Sequence, residues 1–170
     1  GQAQTLASIS GSGNFSVQNG STTAATLALG SGNTSSHFSG TIKDNGISVS
    51  NTAASPGTVT GTVALTKIGT GTLTLSGNNT YTGATTISAG TLKAGSATGI
   101  SSASTLNATG GVFDLNGYNA TVAAVGVGNA AGTITNSASG SGTNTLTITN
   151  YNANLASLIT DGATAKTAVT

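Results

Sequence analysis

The chain is poor in charge and lacks several residue types altogether. Only 4% of its 170 residues are charged, the net charge is +1, and Cys, Met, Trp, Arg and Glu are all missing. A net charge so close to zero gives no electrostatic reason to expect a nucleic acid or an acidic membrane as partner. No run approaches the roughly 18 apolar residues of a membrane helix, so we expect no direct membrane insertion. Solubility must therefore come from Thr, Ser and Asn.

Proline is nearly absent as well. Pro56 is the only one, which excludes a Pro-rich linker or a collagen-like chain. Low charge and 26 glycines are also found in disordered chains, but 36% hydrophobic residues in alternating runs favour an ordered β structure. The length fits one domain, so residues 1–170 are interpreted as a single segment.

The stretch from Leu65 to Gly95, LTKIGTGTLTLSGNNTYTGATTISAGTLKAG, has the clearest pattern. Apolar residues alternate with Thr and Ser, which places one set of side chains on one face of a strand. Gly or Gly/Asn pairs interrupt each run after a few residues and predict short strands with corners between them. Leu73, Leu75, Ile87 and Leu92 are expected to lie inside.

The rest of the chain follows this pattern less strictly. Asn45-Gly46 and Asn116-Gly117 predict turns, because Asn-Gly readily takes positive φ. A loop is predicted at residues 51–57 and a longer corner directly after Gly95, while the tail from Tyr151 is interpreted as a cap or a broken rung. Further inward positions are expected at Val122, Val125, Ile134, Leu146 and Ile148.

The pattern alone leaves two all-β architectures open. A parallel β-helix with rungs of roughly 20–25 residues would have about seven rungs in this length. Asn-Gly hairpin turns could equally build an antiparallel sandwich. In a β-helix, Thr, Ser and Asn stacked from rung to rung would hydrogen-bond to one another and take the place of salt bridges.

Residues 65–95 also follow a family motif. Its order is Leu-x-Lys-x-Gly-x-Gly-Thr-Leu-x-Leu-x-Gly-x-Asn-x-Tyr-x-Gly-x-Thr-x-Ile/Val-x-x-Gly-x-Leu, and the match runs without a gap. The stretch resembles the passenger-associated transport repeat of autotransporter passenger domains, which Gram-negative bacteria export by type V secretion. The matching positions are Leu65, Lys67, Gly69, Gly71, Thr72, Leu73, Leu75, Gly77, Asn79, Tyr81, Gly83, Thr85, Ile87, Gly90 and Leu92.

This resemblance implies a right-handed, single-stranded parallel β-helix and favours it over the sandwich. It also implies export across the outer membrane to the cell surface, and a longer parent chain that ends in a translocator barrel. No signal peptide begins at Gly1, so residues 1–170 are interpreted as a fragment of that parent. The lack of Cys fits this route, since periplasmic disulfides would hinder export of an unfolded chain. The implied function is a stalk or adhesin scaffold that takes part in secretion-coupled folding.

No catalytic constellation is found, and no enzyme, metal site or cofactor is predicted. His37 is the only base available to a Ser-His-Asp triad, and beside Phe38 it is interpreted as a surface residue. The carboxylates Asp44, Asp114 and Asp161 are far apart in sequence, and the Arg and Glu residues typical of polysaccharide-cleaving sites are missing. The calcium-binding Gly-Gly-x-Gly-x-Asp repeat is missing too.

The other polar and aromatic residues are given structural interpretations. Lys43, Asp44 and the other lysines are interpreted as solvated, and Gly69-Thr70-Gly71 as a turn, because no Lys-Ser pair follows as in a phosphate loop. The tyrosines are interpreted as covers for corners, with an exposed glycan or protein contact surface as the alternative. They are Tyr81, Tyr118 and Tyr151.

Two binding functions stay open beside the scaffold. A long Thr- and Asn-rich face could associate with its own copy on a neighbouring cell, or bind a glycan or protein of a host surface, through many weak contacts. Thr-x-Thr pairs such as Thr72-Thr74 and Thr133-Thr135 raise ice binding as a remote alternative. That function requires the pairs to be aligned on one face at a constant period, whereas their spacing in the sequence is irregular.

Overall fold

The computed structural model describes residues 2–13, 16–44, 61–126, 131–139, 142–150, 159–161 and 166–170. The predicted Asn45-Gly46 turn, the loop at 51–57 and the start of the tail at Tyr151 lie outside these residues. Within the described part, every regular element is a β-strand. None of it forms a helix long and apolar enough to cross a membrane.

The strands are short because Gly, Asn and Ser interrupt each apolar-polar alternation after a few residues. The described residues contain sixteen of them, numbered here in chain order. They are β1 (Gln4–Leu6), β2 (Ser16–Gln18), β3 (Ala25–Leu29), β4 (Ser36–Phe38), β5 (Thr41–Lys43), β6 (Val63–Lys67), β7 (Thr72–Leu75), β8 (Thr85–Ile87), β9 (Thr91–Ala94), β10 (Thr105–Ala108), β11 (Val112–Asp114), β12 (Ala120–Val122), β13 (Ala124–Val125), β14 (Thr133–Thr135), β15 (Thr143–Ile148) and β16 (Lys166–Val169).

The strand pairs of the described residues are all parallel and join different turns of the chain. Sheet A has the order β1-β3-β6-β8-β10-β13, and sheet B the order β4-β7-β9-β11-β14. Two smaller sheets contain β12-β15-β16 and β2-β5. The chain therefore winds as a β-solenoid of about six turns, against the roughly seven expected, and the antiparallel sandwich is excluded.

The strand register gives the length of a turn. In sheet A, Leu65 pairs with Thr85 and Thr85 with Leu106, so equivalent residues lie about 20 positions apart. Earlier in the chain the step between equivalent residues is longer. The Thr70 amide, for example, donates a hydrogen bond to the Asn33 side chain of the preceding turn, 37 positions away. This longer step contains the segment 45–60, which lies outside the described residues.

The core is a column of side chains between sheets A and B. Leu73, Leu75, Ile87 and Leu92 are at most 2% exposed, which confirms that they lie inside. The other expected inward positions are buried as well: Val122, Val125, Ile134, Leu146 and Ile148. Because each turn stacks its inward residues on those of the next, the core is continuous along the solenoid.

The predicted Asn116-Gly117 turn is present. The two residues have φ of 49° and 83°, in the left-handed region that Asn and Gly adopt most easily. The longer corner after Gly95 is present too, since no strand lies between the end of β9 at Ala94 and the start of β10 at Thr105.

Candidate functional site

The motif residues of the sequence lie in two consecutive turns, which β6, β7, β8 and β9 build. β6 and β8 are neighbours in sheet A, while β7 and β9 are neighbours in sheet B. The aliphatic motif positions, such as Leu65 and Leu92, are core residues. These two turns also bury polar motif residues, among them Lys67, Asn79 and Thr85.

Lys67 is part of the core. It lies in the inward column of sheet A between Leu29 and Ile87, and it is 1% exposed. The interpretation of this lysine as solvated is therefore wrong. Lys43 and Lys93 are half-buried, so Lys67 differs from them in position as well as in contacts.

Backbone carbonyls replace water around the Lys67 ammonium. The ammonium donates hydrogen bonds to the carbonyl oxygens of Ile68 at 2.7 Å, Gly69 at 2.8 Å and Ala89 at 3.3 Å. Burial lowers the pKa of Lys67, because it penalises the charged form. Hydrogen bonds to the charged form act in the opposite direction, so we assign the lysine as an ammonium. It joins the corner of one turn to that of the next.

Two glycines make this corner possible. Gly69 and Gly90 have φ of 67° and 64°, a conformation that is costly for other residues. A Cβ atom on Gly90 would also lie 2.8 Å from the Lys67 ammonium nitrogen. The glycines thus bend the chain so that carbonyls face inward, and Lys67 binds them.

Gly77 and Gly83 have a different role. Neither of them is among the described glycines that have a positive φ. A Cβ atom on Gly77 would instead collide with the Gly40 carbonyl oxygen, and one on Gly83 with the Val63 carbonyl oxygen. Glycine is required here because the backbones of neighbouring turns come too close for a side chain.

Asn79 connects three successive turns. Its side-chain oxygen accepts a hydrogen bond from the Ile42 amide at 2.7 Å, and its side-chain nitrogen donates one to the Gly99 carbonyl at 2.7 Å. Asn79 is 4% exposed, so neither group has water as an alternative partner. The side chain fixes the positions of the turn before and the turn after its own.

Tyr81 begins a chain of buried hydroxyl groups. Its hydroxyl lies 2.7 Å from the Thr85 hydroxyl, which lies 2.8 Å from the Ser104 hydroxyl of the next turn. Ser104 donates to the Gly83 carbonyl at 2.8 Å. Burial raises the pKa of Tyr81 to about 12. The interior of these turns is therefore held by specific polar contacts as well as by apolar packing.

The three tyrosines do not share one role. Tyr81 is fully buried, so it is neither a cover over a surface corner nor part of an exposed contact surface. Tyr118 is 40% exposed beside the Asn116-Gly117 turn, a position that fits a corner cover and an exposed contact surface equally. Tyr151 lies outside the described residues.

Two of the carboxylates bind corners. Asp44 is half-buried and accepts hydrogen bonds from the Val63 amide at 2.7 Å and the Thr82 hydroxyl at 2.6 Å, so it is not simply solvated. Asp114 is 4% exposed, and its carboxylate lies 3.6 Å from the Lys93 ammonium. The expectation that salt bridges are lacking is therefore wrong for this pair.

The surface carries one imidazole-hydroxyl pair. His37 is exposed, as expected, and its Nε2 lies 2.8 Å from the Ser76 hydroxyl of the next turn. The described residues contain no group of three or more His, Cys, Asp or Glu that could hold a metal ion. They show no arrangement that favours a particular reaction.

The Thr pairs of sheet B do not form a regular array. Thr72 and Thr74 stack on Thr91 and Lys93, and the next turn continues with Val112 at the position of Thr91. A charged and an apolar residue thus interrupt the face on which aligned Thr pairs would be needed. This register gives no support to ice binding.

The family comparison singles out the same two turns. Residues 65–94, which end with the last residue of β9, match the model of the passenger-associated-transport-repeat. No curated protein and no solved structure matches the chain significantly. A repeat of this family in a parallel β-solenoid fits an autotransporter passenger scaffold and implies export to the cell surface. Residues 65–94 therefore carry the passenger-associated transport repeat that the sequence resemblance predicted.

Proposed function

We propose that the chain is a non-catalytic scaffold segment of an autotransporter passenger, displayed at the cell surface, and that its turn-by-turn folding assists export. The observation that carries this proposal is the coincidence of the transport repeat, at residues 65–94, with the two turns that bury Lys67, Asn79 and Tyr81. Adhesion would be a property of the surface that such a scaffold presents.

The buried polar groups give a physical reason for folding in sequence. Lys67 needs the carbonyl of Ala89, Asn79 that of Gly99, and Thr85 the hydroxyl of Ser104, and each partner lies in the following turn. Until the next turn has formed, each of these groups lacks one of its hydrogen-bond partners, and a missing partner is costly once the group is buried. Docking of the next turn removes that cost. Each turn thus favours the addition of its neighbour, as nearest-neighbour coupling in a solenoid requires.

The test is export of the chain in front of a translocator barrel in a Gram-negative host. Leu73→Asp places a carboxylate in the core of β7, whereas Thr74→Asp places the same group on the outward face one residue later. We expect Leu73→Asp to lower the amount of chain that added protease can reach at the surface by about tenfold, because an unpaired buried charge prevents the turn from closing. Thr74→Asp should leave it unchanged.

Two results would count against the proposal. Equal surface amounts of the two variants would show that folding of the repeat does not assist export. A large loss of function on changing the exposed His37 to Ala would indicate a catalytic role instead of a scaffold. The level of each chain inside the cell is measured in parallel, so that a loss through degradation is distinguished from a loss of export.

A further inference from the structure

The third side of the solenoid has a gap in its strand pairing at the transport repeat. After sheet B, the chain enters sheet β2-β5 on this side before the repeat and sheet β12-β15-β16 after it. The two turns between them have no strand here, because residues 76–84 join β7 to β8 and residues 95–104 join β9 to β10. These connections and β12 lie within residues 61–126, which the structure describes without interruption.

The edge of β12 that faces this gap has unpaired backbone groups. On its other edge β12 pairs with β15, where the Val122 carbonyl accepts the Thr149 amide at 3.1 Å. Backbone groups alternate in direction along a strand, so the N–H and C=O of Thr121 point to the preceding turn. The Ala123 amide points the same way and bonds the Ser104 carbonyl of that turn at 3.0 Å. No described residue bonds the N–H or the C=O of Thr121.

A cavity of about 240 Å³ lies beside Thr121, between the two strandless connections. Its lining has no charged residue. The exposed polar residues Asn78, Thr80 and Ser102 contribute to the lining, and the buried Ile100 adds an apolar surface. The cavity therefore offers hydrogen bonds and apolar contact, but no charge.

Ser101 adds a buried donor to this lining. It is 1% exposed, and its hydroxyl oxygen accepts the Ala103 amide at 3.3 Å. A hydroxyl group can also donate one hydrogen bond, and no described residue accepts the Ser101 proton. Because buried polar groups are nearly always paired, this proton indicates an acceptor that enters from the cavity.

We propose that this cavity binds one neutral pyranose unit of a glycan. The hydroxyl groups of a sugar both donate and accept, which matches the Thr121 N–H, the Thr121 C=O and the Ser101 proton. The volume is below the roughly 300–1,000 Å³ of sites for drug-sized ligands, so it admits a single ring. An uncharged lining gives acidic sugars no advantage.

A peptide that adds a strand to β12 fits the gap less well. Such a peptide is held by a row of main-chain hydrogen bonds along an open edge. β12 has three residues, and of these Thr121 alone directs its backbone groups into the gap. One residue supplies one donor and one acceptor, which is enough to orient a sugar ring but not to hold a strand.

Proton-nitrogen NMR of the whole chain, titrated with the methyl pyranosides of glucose, galactose and mannose, tests this site. We expect at least one of them to shift the amide signals of Ser101, Ser102 and Thr121 until they saturate, because these residues line the cavity. A single ring makes few contacts, so we expect a dissociation constant in the millimolar range. The methyl pyranoside of glucuronic acid should bind no more tightly than the neutral sugars, since no residue of the lining attracts its carboxylate.

Two serine variants test the buried donor. Ser101→Ala removes the free proton together with the turn bond to Ala103. Ser96→Ala is the matched control, because the Ser96 hydroxyl accepts the Thr98 amide at the same 3.3 Å but does not line the cavity. Ser101→Ala should raise the dissociation constant at least about fivefold, as the loss of one hydrogen bond predicts, and Ser96→Ala should change it by less than about twofold.

A second pair of variants tests the backbone edge. Thr121→Pro removes the N–H that faces the cavity but no bond to β15, whereas Thr121→Ala keeps that N–H. Thr121→Pro should weaken binding at least about fivefold with an unchanged circular dichroism spectrum, and Thr121→Ala should not weaken it. If Thr121→Pro alters the spectrum, the serine pair alone decides.

Several results would overturn the proposal. They are the lack of a saturable shift with every neutral pyranoside, shifts confined to amides away from the cavity, and equal affinities of Ser101→Ala and Ser96→Ala. Binding of a short neutral peptide, with no binding of any pyranoside, would assign the gap to an added strand instead. None of these results bears on the export role, because that role is measured by the amount of chain at the cell surface.

Discussion

Replacement of Lys67 by Met isolates the contribution of one buried ammonium to the stability of the solenoid. Met keeps an unbranched apolar side chain in the column between Leu29 and Ile87 but has no hydrogen-bond donor. The carbonyl oxygens that Lys67 binds, at 2.7, 2.8 and 3.3 Å, would then lose their side-chain partner. Lys43→Met is the control, since it removes the same charge from a half-buried position in β5.

Two opposing effects determine the size of the loss. Leaving a buried polar group without a hydrogen-bond partner costs about 1–3 kcal/mol. We apply this cost to each of the two carbonyl oxygens that Lys67 binds at short distance, those of Ile68 and Gly69. The variant also avoids the desolvation of an ammonium, a penalty of several kcal/mol that the carbonyls offset in the native protein. Lys67→Met leaves no buried charge without a partner, so the loss comes from the carbonyl acceptors that lose their donor. We therefore expect the free energy of unfolding to fall by roughly 2–4 kcal/mol for Lys67→Met and by less than about 0.5 kcal/mol for Lys43→Met.

Urea unfolding followed by circular dichroism measures both values, because the chain has no Trp to report by fluorescence. The slope of the free energy with urea concentration must be equal in the variants for their midpoints to be compared. A loss below about 0.5 kcal/mol in Lys67→Met, or a gain in stability, would refute the reasoning. It would mean that the corner carbonyls find other donors and that the lysine is merely tolerated in the core.

Four further substitutions, in three experiments, test the core, a close backbone contact and the buried Tyr81 hydroxyl. Leu75→Ala should lower the free energy of unfolding by roughly 2–5 kcal/mol in the same urea assay. Leu6→Ala, at a position that is 39% exposed, should lower it by less than about 1 kcal/mol. Equal losses in the two variants would contradict a continuous core. Gly77→Val should prevent the native circular dichroism spectrum, since its side chain meets the Gly40 carbonyl; a native spectrum would show that the turns can separate. Burial raises the pKa of Tyr81 to about 12, against about 10 in the unfolded chain. The stability that the neutral hydroxyl contributes to the fold is therefore complete below about pH 10 and is lost as the pH rises toward 12. Between about pH 9 and 11 the wild type should lose roughly 1 kcal/mol more than Tyr81→Phe, and identical pH profiles would contradict this.

The strands and the core were predictable from local pattern, but their pairing was not. Alternation at Leu73 and Leu75 identifies an inward face within four residues, because it depends only on the period of a strand. The partners of these residues, Leu92 and Ala94, lie in the next turn, and no local signal specifies that distance. The pattern therefore left a sandwich open, and only the resemblance to a family favoured parallel turns.

The buried polar residues were missed for a related reason. Lys67 is in phase with Leu65, so the period of two placed it inside, but the usual exposure of lysine outweighed that signal. Its burial depends on carbonyls that become visible only when Gly69 and the Ala89 corner come together in space. Tyr81 was missed likewise, because the hydroxyl network that accommodates it includes Ser104 of the next turn. Where glycine corners lie nearby, the alternation of inward and outward positions along a strand therefore predicts burial even for a charged residue.

Hydrogen exchange decides whether the transport repeat is the most stable part of the fold. β7 and β9 in sheet B and β8 in sheet A each have a strand on both sides, whereas β1 has one neighbour among the described strands. Opening β7, β8 or β9 must therefore disrupt contacts with the turns on both sides, and the corner between β7 and β8 is also held by the side-chain bonds of Asn79 and Thr85. We expect these amides to exchange at least about a hundredfold more slowly than those of residues 2–13, since local stability falls toward chain segments with few contacts. Lys67→Met should reduce the difference by weakening the corner between β6 and β8. If the two groups of amides exchange at the same rate in the wild type, the repeat does not organise the fold, and its buried polar contacts would serve another purpose than stability.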